Sequence, residues 1–184
     1  AKAGLNIMIF NQRSVDEILS MIQTLSSMVG AGDKGAALVR NLEENLSQIG
    51  RAGKAFPRRP RVYFEEWDEP MISGIRWVSE LIEIAGGEDV LSELSRSPAA
   101  SGRIHDGGEV VKRQPEVILG SWCGKKFRPE RVAARPGWEA LPAVKQNQLF
   151  EIKSADILQP GPAALTDGVR RIHAVLAGFL STGA

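Results

Sequence analysis

The stretch Arg61–Gly87, RVYFEEWDEPMISGIRWVSELIEIAGG, decides how the rest of the chain is read. Val62, Tyr63 and Phe64 form a short apolar, β-prone run with polar residues after it, the pattern of a buried strand ending at a surface loop. Pro70 stands where a first helical turn tolerates a missing N–H. Ile72, Ile75, Val78, Ile82 and Ala85 then recur at helical spacing, and Gly86 and Gly87 supply the stop. The expectation is a strand, an acidic loop and a helix opening at Pro70. That loop carries Glu65, Glu66, Trp67, Asp68 and Glu69. Open α/β sheets hold ligands at the carboxyl ends of their strands, which makes it a candidate site. The competing reading is a solvated loop whose acids complement the helix N-terminus.

Upstream, Leu5–Phe10 (LNIMIF) reads as a strand buried on both faces. Ser14 and Glu17 have the spacing of a capping box. The helix they open carries Val15, Ile18, Leu19, Ile22 and Leu25 and closes at Gly30. Asp33 is placed to cap a second helix, with Leu38, Val39, Leu42, Leu46 and Ile49 on its buried face, running to about Gly50. The Gly-, Pro- and Arg-rich RAGKAFPRRPR marks a boundary after it. Downstream, 92–108 reads as a surface connection and Glu109–Arg113 as a short helix. Glu116–Gly120 and Leu149–Ile152 read as strands, and Pro129, Pro136 and Pro142 punctuate short helical turns. Leu165, Val169, Ile172, Leu176 and Phe179 stripe the last helix. Strands alternating with helices predict an α/β fold on a parallel or mixed sheet.

A net charge of +1 argues against a nucleic-acid binder, which needs a dominant basic face. No apolar run reaches the roughly 18 residues of a membrane span. The single cysteine, Cys123, excludes an internal disulfide and a cysteine-based zinc site. AKAGLNIMIF lacks the basic flank and long apolar core of an export signal. No GxSxG elbow, phosphate-cradling glycine loop or HExxH occurs, so neither catalysis nor a metal site is expected.

Trp67 and Trp122 both fall just past strands, where an indole is too large to expose without a reason. Trp122, Cys123, Gly124, Lys125 and Lys126 follow the second buried strand and so share a rim with Glu65–Trp67. The basic run Lys125, Lys126, Arg128, Arg131 and Arg135 is either a solvated face or, at Lys125 and Lys126, a partner for an anionic group. Trp77 is helical, and Trp138 packs under a loop. His105 and His173 are assigned no ligand role. Two rim indoles beside acids and lysines suit a flat, bulky, amphipathic ligand. Cys123 as the nucleophile of a small α/β enzyme is the alternative from another class, and a ligand-free structural module would bury Trp67 and Trp122 completely.

Taken together, Arg61–Gly87, EVVKRQPEVILGSW, ARPGWEALPAVKQNQLFEI and QPGPAALTDGV resemble the periplasmic cobalamin-binding family, the substrate-binding proteins of ABC importers related to iron-siderophore and haem binders. The resemblance implies a Rossmann-like lobe of a helical-backbone (class III) binding protein. Residues 1–32 resemble a remnant strand and helix of the first lobe, 33–56 the long bridging helix and linker, and 57–184 the second α/β lobe. It implies a periplasmic, non-catalytic protein that binds cobalamin or a related corrinoid between lobes and delivers it to a permease, with haem or a ferric siderophore as the alternative ligand. Glu65, Glu66, Trp67, Trp122, Cys123, Lys125 and Lys126 would face the cleft, with Gln159 and Pro160 contributing its wall. The family's permease-docking glutamate aligns with Gly108, next to Glu109. The family's earlier strand–helix units are absent here, so the apolar residues 1 to about 30 are expected to self-associate through an open edge.

Overall fold

A computed structural model describes Gly4 and residues 6–182. Ser14 caps helix α1 (Val15–Met28) by accepting the Glu17 N–H at 3.2 Å, while the Glu17 carboxylate takes the N–H of Arg13 at 2.6 Å. Gly30 makes the left-handed turn at φ +73°. Helix α2 (Gly32–Lys54) starts from Ala31, so Asp33 sits in its first turn instead of capping it. The helix also runs a turn past Gly50. Gly53 is there for close approach: a Cβ on it would stand 2.8 Å from the backbone N of Gly86.

Strand β1 (Arg61–Asp68) is longer than expected, and the acidic residues 65–68 are strand instead of loop. Met71–Ser73 forms β2 and pairs back antiparallel, Glu65 with Ser73, Trp67 with Ile72 and Asp68 with Met71. Hairpin pairing overrides the helical spacing that begins at Ile72, so helix α3 spans Arg76–Ile84 and does not open at Pro70. Next come β3 (Glu88–Asp89), two 3₁₀ turns, α4 (Gly107–Arg113, capped by Asp106) and β4 (Val117–Gly120). Helices α5 (Pro129–Ala133) and α6 (Pro142–Lys145) precede β5 (Leu149–Glu151) and α7 (Ser154–Ile157). A π turn over Ala164–Gly168 leads into α8 (Val169–Ser181).

The sheet runs β2-β1-β4-β5, with β3 beside the first half of β1; β3, β1, β4 and β5 are parallel and β2 is antiparallel. This is a mixed α/β sheet, a Rossmann-like lobe with α2 as its long appended helix. Alternation along the strands splits the core into two layers. Val62, Phe64, Val117 and Leu119 face α1, α2, α3 and α8, and the stripe Leu165, Val169, Ile172, Leu176 and Phe179 is buried there. Tyr63 and Ile118 face the other side, with Trp122, Phe127, Trp138 and Leu141.

The LNIMIF strand is not formed. Leu5 lies outside the described residues, and 6–13 have no strand pairing. Ile7, Met8 and Ile9 are 71%, 53% and 85% exposed. A β run without a partner to complete its hydrogen bonds does not hold as a strand.

Candidate functional site

The carboxyl end of the sheet is organised by Glu65. Its side chain shares a face with Tyr63 and is fully buried, 0% exposed. Arg135 grips it with both guanidinium nitrogens, Nη1 to Oε2 at 2.5 Å and Nη2 to Oε1 at 3.0 Å. The Trp122 indole N–H donates to Oε1 at 2.9 Å, and the Tyr63 hydroxyl donates to Oε2 at 2.8 Å. Burial works against the charge on Arg135, but the bonds to Glu65 outweigh it and raise its pKa. Burial, with the Glu65 charge beside it, pushes the Tyr63 hydroxyl well above its ordinary range. Glu65 thus holds the rim from beneath and presents no carboxylate to the cleft, which corrects that expectation.

The two indoles at the rim lie on the same face of the sheet and bracket one cation. Lys125 Nζ stands 4.2 Å from the centre of the Trp67 ring and 5.1 Å from that of Trp122. It also pairs with Asp68, whose side chain is only 3% exposed. Trp67 is half-buried, with its N–H donating to the Glu69 carbonyl, whereas Trp122 is 2% exposed and stacks edge-on against Phe127. Trp122 therefore offers an edge and not an open face.

A cleft of about 850 Å³ opens beside them. Asp68, Glu69 and Met71 at the β1–β2 turn form one wall, Gly107, Gly108, Val111 and Lys112 of α4 a second, and Trp122, Arg131 and Arg135–Trp138 the third. Gly107 is needed for this shape, because a Cβ there would meet the Trp138 indole nitrogen at 2.9 Å. Arg135 lies over the Trp138 ring at 4.7 Å, so both indoles of the third wall are tied to Glu65, Trp122 by its own N–H and Trp138 through Arg135.

The remaining candidates fall elsewhere. Glu66 points to the opposite face of β1 from Glu65, where it binds the buried Arg103 at 2.6 and 3.0 Å and accepts the Ile75 N–H at 3.2 Å. Its role is to fasten the start of α3, not to face the cleft. Cys123 is exposed on the loop after β4, with no hydrogen-bonding partner among the described residues. Lys126 is exposed and lines a separate hollow with Glu151, Lys153 and Ser154. Gln159 and Pro160 lie on the loop between α7 and α8 and are not among the cleft-lining residues. Glu109 bonds Lys112 at 2.6 Å and borders a second hollow with Glu93 and Asp106. His105 touches the Tyr63 hydroxyl at 3.1 Å, and His173 stacks on Phe56. Among the described residues no His, Cys, Asp or Glu group is arranged to hold a metal ion.

Residues 1–155 match the model of the family described as periplasmic binding protein. The chain belongs to the periplasmic binding protein family. Solved relatives carry the same fold. An ABC transporter substrate-binding protein from Listeria monocytogenes EGD-e superposes with a TM-score of 0.77 at 16% identity, over 95% of this chain and 69% of its own. S. aureus IsdE, complexed with haem, gives 0.77 at 15% identity, over 94% and 68%. The vitamin B12-binding protein BtuF of Vibrio cholerae gives 0.70 at 22% identity, over 97% and 68%. The chain thus spans about two thirds of the length of these relatives. No curated protein matches it.

In this periplasmic binding protein, the cleft residues that sequence reasoning missed are Met71, Gly107, Val111, Arg131 and Arg135. Arg135 sits 70 residues from Glu65, and its local pattern is that of a solvated basic face. The only local hint was its place in ARPGW, ahead of a positive-φ Gly137 that turns Trp138 inward.

Proposed function

We propose that the chain is the ligand-holding lobe of an ABC importer's substrate-binding protein, working in the periplasm and taking cobalamin or a related corrinoid in the cleft at the carboxyl edge of the sheet. The observation that carries this reading is the third wall: Trp122, bonded directly to the buried Glu65, and Trp138, stacked under the Arg135 that grips the same carboxylate, shape a largely apolar hollow for a bulky guest. The family is one of solute-binding proteins, so the lobe binds and releases without chemistry. Delivery is to a membrane permease, with Glu109 at the docking face, which is supported by its place beside Glu93 and Asp106. Among the described residues no helix is long and apolar enough to cross a membrane.

Haem or a ferric siderophore on the same scaffold is the second reading, favoured by the haem-complexed relative. Tryptophan-quenching titrations with cyanocobalamin, haemin and a ferric siderophore decide between them. Saturable quenching by cyanocobalamin is expected; a response to haemin alone transfers the site to haem, and silence with all three removes the importer reading. We also propose self-association through the N-terminal segment. Ile7, Met8 and Ile9 ahead of α1 and Leu25, Met28 and Val29 at its end expose apolar surface.

A further inference from the structure

The basic run Lys125, Lys126, Arg128, Arg131 and Arg135 divides by what each side chain is bonded to. Lys125 is paired with Asp68 and stands outside the cleft lining, and Lys126 lines a separate hollow. Arg128 pairs with Glu130 at 3.7 Å, and Arg135 is spent on Glu65. Arg131 alone of the five lines the cleft with its donors uncommitted. Its guanidinium makes no hydrogen bond among the described residues, and its side chain is 60% exposed. The group is nevertheless held in place: Nη1 lies 3.6 Å from Asp68 Oδ2, and Cζ lies 5.8 Å from the centre of the Trp122 ring. Lys112, on the second wall, is 71% exposed and tied to Glu109 in a surface pair of small worth. Against these cations the lining sets the exposed acid Glu69.

We propose that Arg131 binds an anionic oxygen group of the ligand, a phosphodiester or a carboxylate, while the indole wall holds the ligand's apolar body. The proposal rests on the importer reading above and narrows its ligand. A guanidinium presents parallel N–H donors that match the two oxygens of such a group. Contact with Trp122 already restrains it, which lowers the cost of ordering it on a ligand. Turning to the ligand strands no charge, because Asp68 keeps Lys125 on Oδ1. Lys112 adds positive charge from the neighbouring wall, whereas Arg135 cannot contribute without releasing the buried Glu65.

The test compares two pairs of probes on the 184-residue chain and on Arg131→Gln. Cyanocobalamin is set against cobinamide, which lacks the phosphodiester-linked nucleotide, and haemin against its dimethyl ester, which lacks free carboxylates. In the pair that binds, the unaltered chain is expected to prefer the anionic member roughly tenfold, and Arg131→Gln to remove most of that preference. A preference for cyanocobalamin lost in Arg131→Gln supports the proposal with a phosphodiester as the group; the same loss for haemin supports it with a carboxylate. The preference is also expected to shrink as ionic strength rises, since Arg131 is open to solvent. Equal or tighter binding of the neutral member, an unchanged preference in Arg131→Gln, or a preference indifferent to salt overturns the proposal while the importer reading stands. The salt series needs no variant, so it keeps the proposal refutable if Arg131→Gln fails to fold. Silence with all four probes overturns the proposal, and the importer reading falls with it only if the ferric siderophore is silent too.

Discussion

Glu65 gathers three donors from across the chain, the Arg135 guanidinium, the Trp122 indole and the Tyr63 hydroxyl, around one carboxylate with no solvent contact. Removing it leaves the largely buried Arg135 cation and the Trp122 indole N–H without their partner. Glu65→Ala is expected to cost about 3–5 kcal/mol in a denaturant melt, far beyond a surface change. A second buried acid acts in the opposite direction. Burial raises Asp89 from its ordinary 3.8 to about 6, against the pull of Ser79 and the Leu91 N–H. The folded state then holds a proton that the unfolded chain has released between about pH 4 and pH 6, so this group's contribution to stability falls as pH rises through that window and is flat above it. Asp89→Asn keeps the oxygen that accepts the Leu91 N–H. It is expected to gain on the unaltered protein by on the order of 2 kcal/mol between pH 4 and pH 7; equal shifts at both pH values would refute the assignment. Neither acid's part was legible in sequence, because the partners that define Glu65 lie 57 and 70 residues away.

Elements whose signal is local were legible. The Ser14 cap, the α8 stripe and the buried run before Gly120 need only their own residues to be recognised. Failures came where tertiary pairing competed with a local pattern. Ile72 fits a helical stripe but pairs with Trp67 in the hairpin, and LNIMIF has strand composition without a strand beside it. Glycine was ambiguous in the same way. Gly50 looked like a helix terminator, yet α2 continues so that Gly53 can lie against the end of α3. Both surfaces at that contact are backbone, so neither can step aside. Gly53→Ala is expected to destabilise the protein by about 1–3 kcal/mol, although alanine favours helix. A thermal melt showing a gain would refute this packing account.

At the scale of the molecule, the apolar N-terminal end and the cleft lie in different layers. The core shared by α1, α2, α3 and α8 occupies one face of the sheet, and Trp67, Trp122 and Trp138 belong to the other. Association through the first is therefore expected to leave the second open. Light scattering over a concentration series should show dimers or larger species, dispersed by Ile7→Ser with Ile9→Ser; a clean monomer at high concentration would refute it. Sequence reading placed the rim and both of its indoles, but it could not show that Lys125 is spoken for by Asp68. That pairing depends on the hairpin that also escaped it.

Helix α2 carries a consequence of its own. Its 23 residues extend about 35 Å. The shaft is bolted to the lobe by Leu42, Leu46 and Ile49, by Asn45 donating to the Leu165 carbonyl, and by the glycine seat at Gly53. Anchored along its length in this way, the helix is expected to move with the lobe as one body, so that a displacement near Gly32 would turn the sheet and its cleft together.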